Sequence, residues 1–112
     1  MANNKEEAMS VVAIINREWA DKLTRFSTFD KDPQRIDKRL KALAEKTVRN
    51  ELGEAVEVRV VFSEDVRCRG EFETGCERMD SLLRDIFKAR YDWLEAVEID
   101  HMLMMEDMEG RR

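Results

Sequence analysis

The sequence predicts a mostly helical α+β domain with the element order α-α-β-β-α. Three observations lead there. Apolar residues recur at three- and four-residue spacing over three long stretches, as on amphipathic helices. Between the second and third stretch the spacing drops to two, as on strands with one buried face. One Pro and four Gly in 112 residues leave little room for long loops. Three amphipathic helices packed with one β-hairpin, in a single domain over residues 1–112, satisfy all three.

The first helix is expected over residues 5–26. Asn4 is a favoured N-cap, with Glu7 three residues on. Ala8, Val12, Ile15, Trp19, Leu23 and Phe26 form its apolar stripe, which Met9 and Val11 widen. Trp19 reads as a core anchor. Residues 27–31 read as a turn, with Phe29 tucked back against the core.

The second helix is expected over residues 33–52. Asp32 is the N-cap, and Pro33 at the first helical position gives up no hydrogen bond. Gly53 is the stop. Ile36, Leu40, Leu43, Ala44, Thr47 and Val48 form the stripe. The opposite arc carries Arg35, Lys38, Arg39, Lys46 and Arg49, the chain's basic surface. Such an arc can track phosphates, because each contact releases counterions. Asp37 and Glu45 interrupt it, no aromatic residue is interleaved, and solvated charge is the commoner role of such a face.

Val56, Val58 and Val60 then alternate with Glu57 and Arg59, and Val66, Cys68, Gly70 and Phe72 alternate with Arg67, Arg69, Glu71 and Glu73. The pattern predicts a hairpin, 55–62 paired with 66–73, that must lie on helices because two strands alone are not stable. Its open edges offer sites for strand addition.

The last helix is expected over residues 75–109, with Thr74 and Glu77 as a capping box and Gly110 as the stop. Met79, Leu83, Ile86, Phe87, Leu94, Val97, Met104, Met105 and Met108 share one face. Ala96, Ile99 and Leu103 share the opposite one. Arg90 interrupts the stripe, so it either snorkels or pairs with Glu18 or Asp21. A helix of this length is roughly 50 Å long, against a radius of gyration of about 13 Å for a compact chain of this size. It must therefore bend, break near Val97–Asp100, or project.

Charge is unevenly spread. The formal net charge is −5, but residues 1–53 carry eleven Lys/Arg against nine Asp/Glu, and residues 54–112 carry nine against sixteen. Residues 95–109 hold six acids and no Lys or Arg. Met102, Met104, Met105 and Met108 sit among those acids. Methionine is flexible and polarisable, and it is frequent on adaptable binding surfaces.

Catalytic chemistry is not legible. His101, the one histidine, falls among apolar neighbours without a positioned acid or pocket. Cys68, Cys76 and His101 lack zinc-ligand spacing. Gly53, Gly70, Gly75 and Gly110 are isolated, so no phosphate loop is present. Two cysteines, no basic-then-apolar leader and no apolar run of membrane-spanning length point to the cytoplasm and away from a membrane.

The sequence therefore predicts a protein without enzymatic activity, cofactor or metal, working by protein–protein binding as an inhibitor or adaptor. The expected partner surface is Ala96, Ile99, His101, Met102, Leu103, Met105, Glu106, Asp107 and Met108, with homodimerisation expected as well. In composition the chain is similar to small acidic phage-encoded inhibitors of host defence or transcription, a likeness of class only. The alternative is nucleic-acid or nucleoprotein binding by the basic face of the second helix, at Arg35, Lys38, Arg39, Lys46 and Arg49.

Overall fold

A computed structural model describes residues 9–26 and 32–110, without the side chains of Phe26 and of residues 98–110. In chain order the elements are β1 (Ser10–Asn16), α1 (Arg17–Phe26), α2 (Pro33–Leu52), β2 (Glu57–Ser63), β3 (Gly70–Glu73) and α3 (Glu77–Gly110). The class is α+β, as the sequence predicts, but the described order is β-α-α-β-β-α. The expected cap at Asn4 and Glu7 and the turn with Phe29 lie outside the described residues.

The first correction concerns residues 10–16, which are a strand and not the first half of a helix. Ser-Val-Val-Ala-Ile-Ile-Asn is dominated by β-branched residues, whose stiff χ1 suits a pleated surface better than a helical turn. β1 is also the central strand, in the order β2-β1-β3. Val11, Ala13 and Ile15 are buried under the helices, while Val12 and Ile14 on the other face are half-buried. No exposed position from Val11 to Asn16 marks an alternation.

The second correction concerns the hairpin. β2 and β3 do not pair with each other, because β1 lies between them. β2 runs parallel to β1, with Val11 opposite Val58, Ala13 opposite Val60 and Ile15 opposite Phe62. β3 runs antiparallel to β1 on the other side, with Ala13 opposite Phe72 and Ile15 opposite Gly70. Val66 and Cys68 belong to the connection that carries the chain across the sheet end, not to a strand. Each strand's sequence alternates as a hairpin strand would, but the partner of both is a segment far away in the chain.

Asn16 makes this arrangement close. Its backbone N–H donates to Arg69 O at 2.9 Å, and its buried side-chain amide donates to Val66 O, so it ties the 64–69 connection to the strand end. Its Oδ1 accepts from Trp19 N at 3.0 Å, which caps α1. One residue thus ends β1, starts α1 and anchors the crossover. Arg17 follows and grips Asp37 of α2 with two hydrogen bonds, at 3.0 and 2.6 Å.

α2 keeps the predicted boundaries. Asp32 accepts from Gln34 N at 3.0 Å, and Gly53, at φ +101°, donates its N–H to Arg49 O at 2.9 Å. Its buried residues are Ile36, Leu40, Ala44, Thr47 and Val48. At the start of α3 the box is built differently from the one expected. Asp80, not Glu77, reaches back to Thr74, accepting from its N–H at 2.8 Å and its hydroxyl at 2.6 Å.

Leu83, Phe87 and Tyr91 are the buried row of α3. Phe87 stands edge-on to Phe72 of β3 at 5.6 Å and to Tyr91 at 6.0 Å between centroids. Gly70 lies beneath it, and a Cβ there would come within 2.7 Å of Phe87 Cε2. The absence of a side chain at residue 70 is what lets the aromatic ring seat on the sheet. The last helix, expected to bend, break or project, projects. The molecule measures 68 × 26 × 23 Å with a radius of gyration of 16.6 Å, above the value of about 13 Å for a compact chain.

Candidate interaction surface

α2 and α3 pack side by side over the sheet. Along their outer seam, Arg39, Ala42, Leu43 and Lys46 of α2 face Ala89, Arg90, Trp93 and Leu94 of α3. On each helix the spacing is three or four residues, so each set forms one row. Ala42 and Ala89 are too small to fill the seam, and a cleft of about 540 Å³ stays open. Ligand-binding clefts run from about 300 to 1,000 Å³. Leu43 and Leu94, both partly buried against the core, form its apolar floor. Arg39, Lys46 and Arg90 supply positive charge along its edges.

Trp93 stands in the wall of this cleft with 69% of its surface exposed. An aromatic of this size held against water is unusual where the neighbouring row of the same helix is fully buried. Covering it would remove on the order of 150 Å² of apolar surface from water, roughly 3–4 kcal/mol before the costs of association. Val97, one turn on, is 39% exposed, and Ala96 beside it is exposed too. Ala89, Trp93 and Ala96 follow one another at spacings of four and three. They make a second apolar row, beside the core-facing one, that runs out along the helix.

The opposite flank of α3 is closed by a cluster that also explains Trp19. The Arg69 guanidinium lies 4.1 Å from the centre of the Trp19 ring and 5.7 Å from that of Tyr91. Its Nε is 2.9 Å from Asp92 Oδ1 at an angle that does not suit a hydrogen bond, so charge and stacking hold it. Tyr91 donates its hydroxyl to Trp19 O at 2.7 Å. Burial, with Glu95 nearby, pushes the Tyr91 pKa well above the usual phenol value. This cluster pins α1, the 64–69 connection and α3 together.

The predicted site residues divide. Ala96 is exposed on α3 beside the cleft. Ile99, His101, Met102, Leu103, Met105, Glu106, Asp107 and Met108 belong to the α3 backbone, and their side chains lie outside the described residues. Of the five basic residues on α2, Arg39 and Lys46 reach the cleft and join Arg90. Arg35 and Lys38 are exposed elsewhere on α2, and Arg49 is partly buried and pairs with Glu45 at 3.0 Å. The cleft thus takes in two of the five basic positions of this arc. Arg90 lines the cleft, and Asp21, one of its expected partners, takes Arg17 at 3.1 Å.

Ala42, Leu43, Ala89, Arg90, Trp93 and Leu94 were not legible as a site. The signal for them was the off-stripe Trp93, an aromatic residue with alanines three and four residues away. The cysteines sit apart from this surface. Cys76 is exposed and Cys68 half-buried, and both are free thiols. Burial, then Glu71, pushes the Cys68 thiol pKa up. Among the described residues no group of three His, Cys, Asp or Glu is placed to hold a metal ion. No described helix is long and apolar enough to cross a membrane.

The fold and site thus define an α+β protein with a three-stranded mixed sheet, an elongated terminal helix and an open, basic-edged apolar seam. Family models, curated proteins and solved structures contain no match to the chain.

Proposed function

We propose that the protein is an interaction module of the inhibitor or adaptor type, which binds another protein chain through the α2–α3 cleft and the end of α3. The observation that carries this reading is Trp93, largely exposed in the wall of an apolar cleft on a helix that continues to Gly110. Exposed aromatic residues in concave apolar sites are the usual energetic anchors of protein interfaces. The acidic, methionine-rich sequence that follows extends the same helix with adaptable side chains and charge.

The test is affinity capture from the source cell with the wild-type chain, the Trp93→Glu variant and a chain ending at residue 97. The expected outcome is a protein retained by wild type at near-stoichiometric amounts and lost with both variants. Retention of the same proteins by all three would remove the reading.

A further inference from the structure

The partner of this site follows from charge and from the position of the cleft on the helix. The cleft is apolar with Arg39, Lys46 and Arg90 at its edges. A fitting ligand is an amphipathic helix with flexible apolar side chains and acidic flanks. The chain itself contains one. Beyond Leu94, α3 runs sixteen residues further, about 24 Å, to Gly110. In that stretch the sequence carries four methionines and six acids, with no Lys or Arg before Gly110. The segment cannot reach the cleft of its own molecule, because it continues straight away from it on the same helix.

From this we propose that the cleft is occupied by the C-terminal end of α3 of a second copy, in a symmetric antiparallel pair. The inference rests on the reading of the cleft and helix end as a binding surface, and it names the partner of that surface. The register is set by the sequence. A twofold axis crossing α3 near residues 98 and 99 brings the Trp93 turn alongside position 104 and the Arg90 turn alongside positions 107 and 108, which return to the Trp93 face at helical spacing. Ala96, small and exposed, then stands at the crossing, where two helix backbones must approach within about 8–10 Å. Symmetry repeats every contact, so both clefts are filled and both acidic ends meet basic edges.

A charge-swap experiment tests the pair. One variant carries Lys46→Glu with Arg90→Glu, and the other carries Glu106→Lys with Asp107→Lys. Each alone sets like charges against each other at both contacts and is expected to weaken association by roughly 100-fold or more. Mixed, they restore opposite charges at both contacts, and sedimentation should show a mixed dimer. Wild type should sediment at twice its 13.2 kDa mass. A wild-type monomer at all concentrations up to about 0.5 mM overturns the inference. So does a mixture that stays monomeric. Should a charge variant lose its circular-dichroism spectrum, Trp93→Ala probes the same contact, and an undiminished dimer there overturns it as well. A monomeric wild type whose capture of another protein still depends on Trp93 would sink this pairing and leave the broader reading standing.

Discussion

Two rows of α3 lie side by side and have different fates. Leu83, Phe87 and Tyr91 are fully buried against the sheet, while Ala89 and Trp93 line the seam, Ala96 is exposed further along, and Trp93 stands mostly in water. Both rows are apolar, both follow helical spacing, and they share one backbone. What separates them is coverage. β1, β3, α1 and α2 are already in place over the first row, and only α2 borders the second. An apolar row becomes core when its own chain supplies the cover, and otherwise it stays an exposed apolar surface.

Substitutions on the two rows should therefore separate stability from association. Phe87→Ala should have the largest effect, lowering unfolding free energy by about 3–5 kcal/mol, as expected for a large buried ring with aromatic partners on two sides. Urea denaturation measures it, and a loss below 1 kcal/mol would show that the row is not packed as described. Gly70→Ala comes next. The added methyl meets Phe87 at 2.7 Å, so about 1–3 kcal/mol should be lost with helix and strand content unchanged. Joining Gly70→Ala to Phe87→Leu should recover part of that loss, because the clash is with the ring. Trp93→Ala should have the smallest effect on stability, within about 0.5 kcal/mol for the isolated chain at high dilution. A loss as large as that of Phe87→Ala would erase the distinction between the rows.

The sequence was most readable where local signals and global position agree. α2 begins at Asp32-Pro33 and ends at Gly53 because both caps are chemical and local. The class of fold was readable for the same reason, since the period changes within the chain. β1 was not. Val12, Ile15, Trp19 and Leu23 keep helical spacing across the junction, so a strand and the helix after it read as one element. Asn16 held the information, as a capping residue placed before Trp19, but its role is visible only once its amide is seen on Val66. The hairpin failed for a different reason. Alternation tells which residues share a face, not which strand lies alongside, and here the neighbour of both β2 and β3 comes from the start of the chain.

The cleft was legible only in part. Arg39 and Lys46 stood out as basic residues and Ala96 as a second-face residue, but the seam between two helices depends on how they are rotated about their axes. Trp93 and the alanines around it take their meaning from α2, and no spacing within α3 records that. The sequence favoured the far end of the helix because composition is concentrated there. The geometry adds the near end, where the α2–α3 cleft lies open.

β1 also sets the order in which the molecule can assemble. Its parallel partner begins at Glu57, forty-seven residues after Ser10, and its antiparallel partner comes later still. During synthesis at about 5–20 residues per second, the Val-Val-Ala-Ile-Ile segment has neither neighbour for some 2–9 seconds. α2, which holds its own caps, is complete before β2 is made. Sheet formation must then close a long loop over a preformed helix, a route that slows folding relative to a local hairpin. The strand hardest to recognise in the sequence is therefore also the one that stays longest without its partners, and the interval before Glu57 emerges is when the nascent chain is most open to misassembly.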